Sequence, residues 1–335
     1  MKQRKITISE IAKTAAVSPA TVSRVLNHRE QVKEDTINQV ESAMISLGYH
    51  FERKKQVSAT EQPLIMLNVP SFQNTFYQEI INGVQASANA HGYQLLIYNA
   101  LINRGSIRDF CTLLHKTNTR GTILLSPTKE EYLQQINALV PLIQCCEYNE
   151  NANLPFISID DYSAARTATE YLISCGKNKI ALINGPAIYK YAVERQRGFI
   201  NALEQADITI LNNWIVHLPE INFDMAYTSI CRLLNEEIRP DAFFVISDVF
   251  AAAAIRAAKR FGLKVPNDIM VVGFDNIPLS QMTTPSITTM SQPQFQLGFS
   301  ASEMLIDSIE HPEIIQKPLL LDAELIIRES TAAGI

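Results

Sequence analysis

No stretch of this 335-residue chain approaches the roughly 20 uncharged apolar residues of a membrane span, so no transmembrane helix is expected. The first residues, MKQRKITISE, lack the apolar run of a secretory signal, which favours a cytoplasmic protein. Cysteine is scarce: the five, Cys111, Cys145, Cys146, Cys175 and Cys231, are odd in number and form no C-x-x-C pair. That argues against a disulfide framework or a zinc ribbon and suits a reducing compartment. Enzyme signatures are missing too, with no G-x-S-x-G, H-E-x-x-H or G-x-x-x-x-G-K-[ST] and six scattered histidines. Catalysis, a metal site and a cofactor are therefore not expected. Internal repeats and low-complexity tracts are also absent. What is abundant is apolar sequence, 47% of the chain, enough for a small domain and one or two larger ones with their own cores.

The formal net charge of -5 hides an uneven split. Residues 1 to 60 carry ten bases and six acids, a net +4, and the rest of the chain carries -9. A basic head on an acidic body is the polarity expected when only the head meets nucleic-acid phosphates.

In the head, Ile8, Ile11, Ala12 and Ala15 recur at helical spacing. The helix should break at Ala16-Val17-Ser18, with Ser18 as the next N-cap and Pro19 in a first helical position. A second short helix runs to about Leu26. A third opens at Glu34 and Asp35, carries Ile37, Val40, Met44 and Leu47, and stops at Gly48. Residues 52 to 62 (ERKKQVSATEQ) are polar and basic, a linker. From Leu64 onward, apolar strand runs alternate with amphipathic helices: Leu64 to Val69, Leu95 to Asn99, Thr122 to Ser126, Phe156 to Ile159, Ile180 to Ile183, Ala242 to Ile246 and Ile269 to Phe274. Such alternation implies parallel sheets covered by helices on both faces, and about 270 residues allow two such lobes with a cleft. The expected organisation is a head at 1–50, a hinge at 51–62 and a two-lobed body at 63–335.

A helix-turn-helix places its second helix in the major groove. Here that helix would bury Val22, Val25 and Leu26, leaving Pro19, Ala20, Thr21, Ser23, Arg24 and Asn27 for DNA. Arg24 can donate two bonds to guanine O6 and N7, whereas Pro19 and Ala20 offer apolar contact to a thymine methyl. On spacing alone, the same helices could form a plain packing domain with Arg24 as a solvated surface charge. The run I-T-I-S-E-I-A, then V-S, T-V-S-R-V-L-N and a later G-Y, resembles the head of the lactose/galactose repressor family. Ala16 departs from the glycine common there, at some strain if its φ is positive. That family's hinge carries a leucine that wedges into the minor groove. This chain has Phe51 to Ser58 there, with Val57 the only nearby apolar substitute, so a flexible basic linker through Arg53, Lys54 and Lys55 is expected.

The resemblance runs through nearly the whole chain, by way of Asn74 to Tyr77, Ile159-Asp160-Asp161, Gly185-Pro186, Arg195 with Gly198-Phe199, Ser247-Asp248, Gly273 to Asn276 and the terminal Glu324 to Thr331. It implies a small all-α helix-turn-helix head and an α/β periplasmic-binding-protein-like body of two doubly wound parallel-sheet lobes. It further implies a homodimer on a pseudo-palindromic double-stranded DNA operator, acting as a repressor that answers to a small carbohydrate or nucleoside effector. Effector contacts carried over by this likeness are Asn74, Phe76 and Tyr77 from one lobe and Tyr189, Arg195, Phe223, Ser247 and Asp275 from the other. Alternatively, Asp275 is a helix cap and Arg195 an ion-pair partner in the neighbourhood of Glu194. Asp160 reads as a cap or cleft residue. The run Cys145-Cys146-Glu147 stands where several relatives have an acid, so a polar contact is either lost or supplied by Glu147. The aromatic, basic loop Ile188 to Tyr191 suits a nucleobase or a sugar phosphate. The rival from another class is a sugar-binding protein of transport, against which the basic head weighs.

Overall fold

A computed structural model describes residues 8–19, 21–22, 25, 32–46 and 62–332. The chain divides into two compact units, residues 1–61 and 62–335.

In the first unit the helix Ile8–Thr14 ends in a Schellman-type closure: Val17 N donates to Ala12 O at 3.0 Å and Ala16 N to Lys13 O at 3.4 Å. Ala16 closes this turn at φ 51°, so it takes the left-handed conformation that glycine adopts without strain. Ser18 then caps the next helical turn, its Oγ accepting from Thr21 N at 3.0 Å, with Pro19 just inside. Ile11, Ala12, Ala15, Val22, Val25, Ile37, Val40 and Met44 bury one another. Ile37, Val40 and Met44 come from the helix Glu34–Ser46, so the described members of the expected apolar stripes face one core, whereas Leu26 and Leu47 lie outside the described residues.

The second unit is built on two six-stranded sheets. The first holds β1 (Leu64–Val69), β2 (Gln94–Asn99), β3 (Thr119–Leu124), β4 (Leu142–Cys145), β5 (Phe156–Ile159) and β11 (Leu319–Leu321) in the order β11-β5-β4-β3-β1-β2, all parallel. The second holds β6 (Ile180–Asn184), β7 (Ile215–His217), β8 (Ala242–Val245), β9 (Met270–Asp275), β10 (Thr288–Ser291) and β12 (Glu324–Ile326) in the order β12-β10-β9-β8-β6-β7, with only β12 antiparallel. The inner strands β1, β6, β8 and β9 are mainly apolar and buried because helices cover both faces. In β1, Ile65, Leu67 and Val69 pack toward Ile80 and Val84, whereas Met66 packs with Phe110, Leu114 and Leu133 on the opposite face.

Because β11 belongs to one sheet and β12 to the other, the chain crosses between lobes three times: after β5, after β10 and between β11 and β12. Each lobe gains a helix pair in this way. Helix Phe76–Ala90 meets Gln294–Glu310 where Gly83 and Gly298 abut: a Cβ on Gly83 would stand 2.1 Å from Phe295 O, and one on Gly298 2.0 Å from Ile80 O. Two backbones this close leave no room for any side chain. Among the described residues no helix is long and apolar enough to cross a membrane.

Candidate functional site

The strands of the second unit end around a cavity between its lobes. In open α/β sheets this is where ligands bind, since loops and helix N-termini converge beyond the strands' carboxyl ends. From the first lobe come Asn74, Phe76 and Tyr77 after β1, Cys146 and Glu147 after β4, and Ser158 and Ile159 of β5. From the second come Tyr191 and Arg195 after β6, Ile246 after β8 and Asp275 at the end of β9. Asp161 and Gln292 come from the first two crossovers.

At its centre lies a buried ion-pair network. Arg195 is 4% exposed; its Nε donates to Asp161 Oδ1 at 2.8 Å, and Nη1 donates to Ile246 O at 2.9 Å and stands 4.0 Å from Asp275 Oδ1. Its guanidinium carbon lies 3.5 Å from the centre of the Phe274 ring and 4.9 Å from that of Tyr191, two faces that favour a cation. Lys190 Nζ donates to Asp161 Oδ2 at 2.6 Å and to Ser158 Oγ at 3.0 Å. Burial works to raise the Asp161 carboxyl, but Arg195 and Lys190 outweigh it and hold the group below the usual carboxylate range.

The other two carboxyls move the opposite way. Burial pushes Asp275 up to about 6 against the attraction of Arg195 and the Gln292 amide, which donates to Oδ1 at 2.7 Å. Asp275 also sits at φ 100° and Asn276 at φ 57°. Two successive non-glycine residues in this region cost about 1–3 kcal/mol each, held here by Gln292, by Gln294 donating to the Asp275 carbonyl, and by Arg328 donating to Asn276 Oδ1 at 2.8 Å. Burial pushes Glu147 up to about 7, opposed by Lys190 and by two backbone N–H groups at the start of helix Lys190–Gln205.

Of the expected effector contacts, Asn74, Phe76, Tyr77, Arg195 and Asp275 come together on the cavity wall. Tyr189, Phe223 and Ser247 lie off it. Tyr189 is the N-cap of helix Lys190–Gln205, its ring 5.1 Å from that of Tyr191. Phe223 begins the helix Phe223–Leu234 and stacks on Tyr227, with Arg256 near both rings. Ser247 caps helix Asp248–Arg260 through Val249 N at 3.3 Å. Asp275 is not a helix cap, and Glu194 pairs with Arg197 rather than Arg195. Asp160 is the N-cap of helix Asp161–Ser174, accepting from Ser163 N at 2.9 Å. Asp161, the second acid of the pair, and Gln292 were not among the expected effector contacts; each adjoins a helix start, and Asp161 belongs to the Ile159-Asp160-Asp161 run that carries the family likeness.

In the head, Pro19 is exposed and Thr21 half-buried, with Thr21 Oγ1 2.8 Å from Ser18 Oγ. Ala20, Ser23, Arg24, Asn27 and Val57 lie outside the described residues, as do Arg53, Lys54 and Lys55.

A helical head followed by two doubly wound lobes around a cavity that holds buried charged groups is the architecture of a ligand-responsive regulator. The sequence model of the bacterial regulatory proteins of the lacI family matches residues 7–51, and that of the periplasmic binding protein-like domain matches residues 169–331. The chain belongs to the LacI family. It is 34% identical over 331 residues to the HTH-type transcriptional repressor CytR of Escherichia coli (strain K12), covering 98% of this chain and 96% of that one. It is 32% identical over 332 residues to the ribose operon repressor of Halalkalibacterium halodurans, covering 98% of each. Among solved structures, the lac repressor dimer bound to operator and the anti-inducer ONPF superposes with a TM-score of 0.76 at 25% identity, covering 98% of this chain and all of that one.

Proposed function

We propose that this protein is a transcriptional repressor that binds a pseudo-palindromic operator as a homodimer and changes its hold on DNA when a small sugar or nucleoside enters the cleft. The carrying observation is the buried Arg195–Asp161–Asp275 network on a cavity wall, in a chain whose N-terminus matches a DNA-binding family. A guanidinium and a carboxylate facing one cavity offer a donor and an acceptor to adjacent hydroxyls, and Phe76, Tyr77 and Tyr191 offer ring faces to a sugar or base. Asn74, Phe76, Tyr77, Arg195 and Asp275 are the proposed effector contacts.

The head, residues 1–50, reads the operator through Pro19, Ala20, Thr21, Ser23, Arg24 and Asn27. Residues 51–62 act as a basic hinge with Val57 as its one apolar candidate, and residues 63–335 sense and dimerise. Such a protein works in the cytoplasm beside the chromosome and catalyses nothing. The transport reading is disfavoured by the helix-turn-helix match at residues 7–51.

The test is nuclease protection of genomic fragments by the full chain, followed by a sugar and nucleoside panel read as thermal stabilisation and as release or tightening of DNA. Arg24→Ala should cost about 1–3 kcal/mol on the operator and relax one base position. Equal loss on operator and random DNA would rule out base reading by Arg24. No protected site on any fragment would sink the repressor reading.

A further inference from the structure

We propose that Glu147 sets the chemical class of the effector: its carboxylate fills the anion position at the N-terminus of helix Lys190–Gln205, so the cleft accepts uncharged, hydroxyl-rich molecules and rejects phosphorylated ones. This rests on the reading of the cleft as the effector site.

A helix start concentrates unpaired N–H groups and a partial positive charge, which makes it a natural phosphate seat. Helix Lys190–Gln205 is 16 residues long and begins at the cavity, and its N-cap Tyr189 supplies no side-chain acceptor. The acceptor comes instead from the facing lobe. Lys190 N donates to Glu147 Oε2 at 2.7 Å and Tyr191 N to Oε1 at 3.3 Å, so one carboxylate takes two N–H groups as two phosphate oxygens would. Glu147 is 4% exposed and cannot turn away into water without leaving the cavity wall.

The side-chain cations are taken as well. Both salt bridges of Asp161 are buried, one to Lys190 and one to Arg195, and Arg195 also serves Ile246 O. Among the described cavity residues three carboxyls, Glu147, Asp161 and Asp275, face a single lining cation, Arg195. A phosphate would have to expel Glu147 and then sit among the remaining acids. A hydroxyl needs neither, because it donates to Asp275 or to the more weakly engaged Oε1 of Glu147.

The experiment compares the full-length wild type with Glu147→Ala and Glu147→Gln above the Glu147 value of about 7, so that the carboxyl is ionised, using inorganic phosphate as probe against sodium chloride of matched ionic strength. Binding is read by calorimetry and thermal shift, and folding by the fluorescence of Trp214. The basic head binds phosphate equally in all three proteins, so the difference between them isolates the cleft. Glu147→Ala should bind phosphate at least roughly tenfold more tightly than wild type, with Glu147→Gln, which keeps one acceptor, in between. If folded Glu147→Ala and Glu147→Gln both bind phosphate no better than wild type, or if wild type itself takes phosphate in the cleft, the assignment is overturned. Neither result bears on operator protection, so failure here is distinguishable from failure of the repressor reading.

Discussion

Asp161→Asn should destabilise the body by about 3–5 kcal/mol, because it leaves two buried cations sharing one neutral amide. The carboxylate accepts from Arg195 Nε at 2.8 Å and from Lys190 Nζ at 2.6 Å, with side chains only 2%, 5% and 14% exposed for Asp161, Arg195 and Lys190. Each pair contributes about 4 kcal/mol of Coulomb attraction at an effective dielectric near 20. Desolvation of the three ions offsets much of this, so the intact network adds little net stability, whereas breaking it is costly. Trp214 is the chain's one tryptophan and is buried beside β7, so its fluorescence in urea reports the body. At a slope of about 3 kcal/mol per molar, the midpoint should fall by about 1 M or more. The sign with pH follows from the lowered Asp161 carboxyl. Its stabilisation is complete above the unfolded value near 4 and disappears as pH falls through the lower folded value. Wild type and variant should therefore converge in acid. Lys190→Met in the same background should recover part of the loss by removing one stranded charge. A midpoint shift below about 0.3 M at neutral pH, or curves that stay apart in acid, would refute this account of the network.

Asp248 lies at the start of helix Asp248–Arg260 with Oδ2 accepting from Ile277 N at 2.9 Å, and burial with Asp275 nearby pushes its carboxyl up to about 8. A raised acid stabilises fully below its unfolded value and loses that stabilisation as pH rises toward the folded one, so the melting temperature of Asp248→Asn should gain on wild type between about pH 5 and pH 8, and parallel profiles would contradict it. Gly198→Ala places a Cβ 2.2 Å from Tyr162 O, between helices Asp161–Ser174 and Lys190–Gln205, and should cost about 1–3 kcal/mol in the Trp214 unfolding curve; an unchanged midpoint would mean that the helices can separate freely. Ala16→Gly relieves about 1 kcal/mol of left-handed strain at the cost of some backbone entropy, so exchange of the Val17 amide should slow modestly, and faster exchange would count against strain at φ 51°.

The fold was legible where local pattern and punctuation agree. Phe156 to Ile159 is bounded by Pro155 and Asp160, and the strand occupies those residues. By contrast β4 is four residues long and contains the buried Gln144, whose Oε1 accepts from Asn149 N at 2.8 Å, so no apolar run marks it. The short β11 and β12 are separated by two residues yet join different sheets, a choice made by long-range pairing that no local period encodes. The site divides along the same line. Arg195 and Asp275 were reachable through the family likeness of the Arg195 with Gly198-Phe199 and Gly273 to Asn276 runs, Asp275 also because it closes the apolar strand β9. Which neighbour faces the cavity is a matter of helix phase: Tyr191 lines it and Tyr189 does not, Asp161 lines it and Asp160 caps. A turn of about 100° per residue separates these outcomes, and sequence spacing at a helix start does not fix the first angle.

The cavity touches the crossovers themselves, and this ties occupancy to lobe geometry. Ile159 and Asp161 flank the first crossover, and Gln292 opens the second while holding Asp275. Glu147 reaches from one lobe to the helix start of the other, and Lys190 reaches back to Ser158. An effector that takes a hydrogen bond from Arg195 or gives one to Asp275 therefore competes with, or adds to, the contacts that set the lobes' mutual angle. Three crossing segments side by side permit rotation about their line more readily than sliding. The effector shifts the balance only by its difference in affinity between the two arrangements. One charge-assisted hydrogen bond made in a single arrangement contributes about 1.5–3 kcal/mol, which moves that balance by roughly ten- to a hundredfold.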